Sequence, residues 1–202
     1  MRNFVFKSAF VLVMFFAFVG CSKDSDDPEQ SCTPINCVNG GVSTSDCGCD
    51  CAIGFTGTNC QTQITPARIK ITKIRVTNFP NFTPSGNYWD VFSSSLYQNP
   101  DIFPYLSSDS GTTGIFAGIT KEDVYSLGND TFDFYPATPI VITQMNTQYG
   151  LDLYDEDTSS NYEFMGGWLF YIYNSSEGFP AVKNIGSGND NVQFQLFLTY
   201  EF

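Results

Sequence analysis

The chain is 202 residues long, carries 21 acidic against 9 basic residues and contains no histidine. A net charge of −12 weighs against partnership with nucleic-acid phosphates or attraction to anionic membrane surfaces. The missing imidazole removes nucleophile–histidine catalysis and histidine-ligated zinc; two acids alone could serve a glycosidase, but nothing in the sequence places such a pair in a cleft, and the chain is read as a non-enzyme.

The first element, MRNFVFKSAFVLVMFFAFVGC, opens with Arg2 and Lys7 and continues as an apolar run from Ala9 to Val19. Crossing a bilayer takes about 20 apolar residues, so residues 1–20 read as a secretory signal, outside the fold. Losing those two bases leaves 7 against 21 acids, a net charge near −14. The ending Phe18-Val19-Gly20-Cys21 resembles a bacterial lipobox. That resemblance implies a lipoprotein whose first mature residue, Cys21, carries the acyl chains that hold it on a membrane. Seven cysteines is an odd number, and setting Cys21 aside leaves six for pairing. Residues 21–31 are polar and acidic, the composition of a flexible tether. Their Ser22-Lys23-Asp24-Ser25-Asp26-Asp27 run is similar to the surface-export signal of lipoproteins in some Gram-negative bacteria. It implies an address on the cell outer membrane, facing outward.

The next element is CTPINCVNGGVSTSDCGCDCAIGFTGTNC, with spacing C-x4-C-x9-C-x-C-x-C-x8-C. Six cysteines in so short a stretch leave no room for a useful apolar core, so cross-links must stabilise it. The spacing lacks paired C-x2-C knuckles, which speaks against zinc. Six cysteines allow fifteen connectivities, and spacing alone does not choose among them. Cys37-Val38-Asn39-Gly40-Gly41 and the closing Gly54-Phe55-x-Gly57-x-x-Cys60 resemble an EGF-like domain over residues 32–60. The resemblance implies the bonds Cys32–Cys47, Cys37–Cys49 and Cys51–Cys60. Calcium-binding members carry acids before the first cysteine and an Asp or Asn between the third and fourth. Here Gln30, Ser31 and Gly48 stand there, which implies a metal-free spacer or contact module. A linker, 61–67, follows.

From Arg68 to Phe202 aromatic and β-branched residues alternate with turn clusters, the rhythm of an all-β sandwich or barrel. RIKITKIRVTNF alternates in two halves, Ile69/Ile71 and Ile74/Val76, and predicts a bulge at Thr72–Lys73. In DIFPYL, Pro104 predicts an edge strand or a bulge. ITKEDVYSLG has room for one helical turn, and DTFDFYP and PIVITQM read as strands. In YGLDLYD, Tyr149, Leu151 and Leu153 share one face. GWLFYIY is apolar throughout, predicting burial on both faces. NVQFQLFLTYEF alternates from Val192 to Phe202, with Phe197 the exception.

Between these strands DLYDEDTSSNYEFMG places Asp152, Asp155, Glu156 and Asp157 within six residues and Glu163 soon after. Neighbouring carboxylates raise the cost of ionising one another, which a solvated loop or a bound cation would relieve. Asp155, Asp157 and Glu163 follow D-x-D-x5-E before Met165-Gly166. This resembles the third calcium-binding loop of a C2 domain, with Glu163 where Asp is usual. Asn129-Asp130-Thr131-Phe132 is similar to the start of that family's fourth strand. The resemblance covers most of residues 68–202 and implies a C2-like sandwich whose first loop supplies two further aspartates, Asp90 and Asp101. The segment differs there from the family pattern: Pro100-Asp101-Ile102-Phe103 replaces Asp-Pro-Tyr, and the loop is longer. The implied cofactor is Ca2+, held by Asp90, Asp101, Asp155, Asp157 and Glu163. Calcium takes six to eight hard oxygens, which such loops can supply.

The expected function is thus a calcium-dependent, non-catalytic binding or adhesion module anchored through Cys21, with a protein or glycan ligand at the cell surface. Tyr88, Trp89, Phe92 and Tyr97 crowd the first loop and could stack on sugar rings or meet a partner; Trp89 reads as packing beneath the loop. The rivals are calcium-dependent phospholipid docking, against which the negative charge stands, and a structural subunit of an outer-membrane complex.

Overall fold

The computed structural model describes residues 33, 35–90, 98–108, 111–158, 161–188 and 191–202. The signal segment, Cys21, the tether, Cys32, Phe92 and Tyr97 lie outside the described residues. The chain divides into two compact units, Met1–Thr33 and Pro34–Phe202, and the second holds every element below.

That unit is all-β, with antiparallel pairing throughout. At its start β1 (Val42–Ser43) pairs with β2 (Cys49–Asp50), and β3 (Phe55–Thr56) with β4 (Thr62–Gln63). Such short ladders do not stand alone in water. Disulfides Cys37–Cys49 and Cys51–Cys60 fasten them, with Cα atoms 5.8 and 5.3 Å apart, and Cys47 is disulfide-bonded as well.

Two larger sheets form a sandwich. One, in the order β11–β10–β6–β7, contains β6 (Ile102–Ser108), β7 (Thr113–Ala117), β10 (Gln148–Thr158) and β11 (Asn161–Tyr171). The other runs β12–β13–β5, from β12 (Val182–Ile185) through β13 (Gln193–Glu201) to β5 (Arg68–Asn78). The free side of β5 is shared by β9 (Ile140–Ile142) along its first half and β8 (Phe132–Phe134) along its second.

Period-two alternation builds the core. Ile69, Ile71, Ile74 and Val76 of β5 meet Phe194, Leu196 and Leu198 of β13 and Leu151 and Leu153 of β10. The two halves of β5 share one inward face because Thr72 is an extra residue: Ile71 pairs with Leu198 but Lys73 with Phe197. The bulge expected there is present. Phe197, the exception in its strand, faces outward, and the Lys73 ammonium sits 3.7 Å from its ring centre, a cation–π contact.

Three expectations are corrected. Pro104 occupies an inner strand, opposite Leu153, and is tolerated because β7 ends at Ala117; its carbonyl still accepts the Gly118 N–H at 2.9 Å. GWLFYIY is buried on one face, since β11 is a sheet edge with one neighbouring strand; Leu169 and Tyr171 are half exposed. The ITKEDVYSLG stretch forms no helical turn: Lys121 bridges to Ile102, and the Val124 N–H donates to the Pro100 carbonyl at 3.0 Å.

The cysteine-rich region packs on the sandwich through one ring. Phe179 receives Phe55, Tyr200 and Phe202 edge-on, with centroids 5.4, 5.4 and 4.9 Å away, and stacks with Tyr173. Gly54, at φ +92°, lets the chain come this close, because a Cβ there would lie 2.4 Å from the Phe179 ring. Gln63 also donates to the Tyr173 hydroxyl at 3.0 Å, and the Ala67 N–H to the Glu201 carbonyl at 2.8 Å.

Candidate metal centre

On β10 the inward row reads Tyr149, Leu151, Leu153 and Asp155, and the first three belong to the core. Alternation carries the row one step past the apolar layer, so Asp155 is fully buried at the end of the sandwich. β11 needs a device to face it. Met165 is an extra residue between the pairs Leu153–Gly166 and Tyr154–Phe164. That bulge shifts the phase of the strand and sets Glu163 opposite Asp155. Gly166 permits it, with φ +153° and the Val192 side chain 2.7 Å from where a Cβ would stand.

Asp90 arrives from the loop after β5. Its neighbour Trp89 is buried in the core and donates its indole N–H to the Pro80 carbonyl at 2.8 Å. With Trp89 as anchor, Asp90 reaches the end of β10. One carboxylate oxygen from each of Asp90, Asp155 and Asp157 then lies within 4.8 Å of the others. Asn161 donates to Asp157 at 2.7 Å.

Asp101 and Glu163 lie outside this triad. Asp101 supports it through the backbone: its N–H donates to Asp155 Oδ1 at 2.6 Å, and its carbonyl accepts the Glu156 N–H at 2.9 Å. The Asp101 carboxylate accepts the Asp123 N–H at 2.6 Å, while Asp123 accepts from the backbone and side chain of Asn99. Trp89 packs beneath the loop as expected, whereas the positioning roles of Asp123 and Asn99 escaped the sequence reading. A turn acid two residues after a lysine gives no local sign that it will brace Pro100-Asp101.

The electrostatics are uncompensated. Among the described residues Asp155 Oδ2 is buried without a hydrogen-bond partner, where a buried acceptor is normally satisfied. Burial pushes the Asp155 carboxyl up to about 7; the Asp101 N–H opposes this, and Asp90, Asp157 and Asp101 add to it. Burial likewise raises Asp90 to about 6, with Asp101 and Asp157 contributing repulsion. Asp101 is raised mainly by burial. Two chemistries relieve such a cluster: protonation, or a hard cation drawing oxygens from all three carboxylates.

No family model matches the chain, and no curated protein does either. Among solved structures, human GIVD cytosolic phospholipase A2 is 18% identical over 65% of this chain, with a TM-score of 0.35. This chain spans about 16% of the phospholipase's length. The first C2 domain of a plant extended synaptotagmin 1 is 14% identical, over 68% of this chain and 98% of that one, with a TM-score of 0.36. The calcium-bound pair of C2 domains from extended synaptotagmin 2 is 15% identical, over 66% of this chain and 45% of that one, with a TM-score of 0.33. At such identities and scores, the candidate metal centre stands on its own geometry.

Proposed function

We propose that this chain is a non-catalytic, calcium-dependent binding module with a C2-like sandwich, displayed on a cell surface by a lipidated Cys21 and raised from it by an acidic tether and an EGF-like domain. One observation carries the calcium reading: a fully buried aspartate, Asp155, has an oxygen with no hydrogen-bond partner among the described residues, and two further carboxylates lie within 4.8 Å. A solvated acidic loop would expose its carboxylates to water; this one aims a carboxylate from the core row into a shared point. With one oxygen from each carboxylate the triad supplies three of the six to eight that calcium takes, leaving places for backbone carbonyls, water or a ligand. When bound, the ion would supply positive charge to the three carboxylates and an open coordination position.

Calcium titration by calorimetry, with thermal unfolding in calcium and in EGTA, tests the reading. Calcium is expected to raise the melting temperature of the native chain. The Asp155→Asn variant keeps an acceptor for the Asp101 N–H but loses the charge. It is expected to be at least as stable as the native chain in EGTA at pH 8, and to gain nothing from calcium. A native chain indifferent to calcium in both measurements ends the proposal.

A further inference from the structure

We propose that the groove beside the triad is a saccharide site, taking a neutral glycan that stacks on Tyr88 and Phe164 while its hydroxyls reach Glu163 and the cation. This deepens, and rests on, the calcium reading. The groove is open, with a volume of about 510 Å³, and runs between the loop after β5 and the start of β11.

Sugar rings present apolar C–H faces and hydroxyl edges, so a saccharide site needs exposed aromatic faces held still beside polar groups. Both are present. Tyr88 is 46% and Phe164 59% exposed. Each packs against a second ring, Tyr88 against Phe82 at 5.3 Å between centroids and Phe164 against Tyr154 at 5.7 Å. The facing wall is a closed turn. The Thr83 N–H donates to the Asn87 carbonyl at 2.9 Å, and the Asn87 N–H to the Thr83 hydroxyl at 3.2 Å. With Trp89 pinning its base, this wall is organised before any ligand arrives. Thr83, Ser85 and Asn87 offer hydroxyl and amide groups, and Glu163 a carboxylate that joins the groove to the metal centre.

Charge selects the ligand class. Among the described residues no lysine or arginine lines the groove, so a phosphate or sulfate would find no counter-charge. Three aspartates and Glu163 also outnumber the charge of one divalent ion, which disfavours an anionic headgroup. A neutral polyol meets these acceptors with donors, and a pair of its hydroxyls can complete the cation's shell. The groove is open to solvent and offers nothing to enclose an acyl chain.

The test begins with calcium titration of the full chain. A glycan array carrying neutral and anionic glycans is then probed in calcium and in EGTA, beside sedimentation with phosphatidylcholine–phosphatidylserine vesicles. The expected result is retention on neutral glycans in calcium and loss in EGTA. Tyr88→Ala and Phe164→Ala are each expected to weaken glycan binding about tenfold, with the calcium isotherm and melting temperature kept. Calcium binding without glycan retention overturns the saccharide site and leaves the calcium reading standing. Sedimentation with vesicles in the absence of glycan binding, or glycan binding indifferent to both variants, overturns it too. A flat calcium isotherm overturns the calcium reading, and the saccharide site with it.

Discussion

At the scale of residues, two aspartates on opposite sheets show how context divides one chemistry. Asp155 sits among acids and burial lifts its carboxyl to about 7. Asp133 lies between Arg75, whose Nε and Nη2 bond it at 2.5 and 2.9 Å, and Lys73 at 3.1 Å. That hydrogen-bonded pairing, with Arg75 foremost, holds its carboxyl well below the usual range. The pH consequences have opposite signs. In the metal-free protein the folded state keeps protons on Asp90 and Asp155 that the unfolded chain has released. Stability therefore falls as pH rises from about 4 to about 7, and calcium restores more of it at pH 8 than at pH 5. Melting temperatures across that range, in EGTA and in calcium, check both slopes. Asp133 contributes stability at neutral pH that is lost as pH falls below about 4, through its depressed folded value. Asp133→Asn should cost about 1–3 kcal/mol in urea unfolding at pH 7. The row Leu151–Leu153–Asp155 is legible in the sequence because alternation is local. The backbone role of Asp101 is not, because its carboxylate is claimed by a loop some twenty residues away.

Two bulges decide which way the strands' side chains point. The one at Thr72 shows in the text of β5, where two alternating halves fall out of phase. The one at Met165 is hidden, since Phe164-Met165-Gly166-Gly167 offers apolar or glycine residues on either phase. Without it Glu163 would fall on the outer face with Leu169 and Tyr171. Gly166→Ala tests this element: strain at φ +153° and collision with Val192 should cost about 1–3 kcal/mol and weaken calcium binding. An unchanged isotherm would show that the bulge does not position the site. Pro104 misled for a related reason. A proline marks a missing ladder bond, and a short neighbouring strand supplies the gap as well as a sheet edge does.

For the whole molecule, the joint between the cysteine-rich region and the sandwich is an aromatic hub that the sequence conceals, because Phe179 stands alone in the polar stretch NSSEGFPAVK. Phe179→Ala should cost roughly 2–3 kcal/mol and raise hydrogen exchange around Gly54 and Phe55, leaving calcium affinity unchanged because the triad is at the other end of β5. That polarity is fixed by pairing. β5 leaves the disulfide-linked region at Arg68, opposite Glu201, and reaches Asn78, opposite Gln193, before entering the loop that carries Trp89 and Asp90. With the chain held at its amino-terminal side and a ligand gripped at the tip, tension would run lengthwise along β5. The hydrogen bonds to β13, β9 and β8 lie across that line and would resist a pull together, in shear, instead of unzipping one after another.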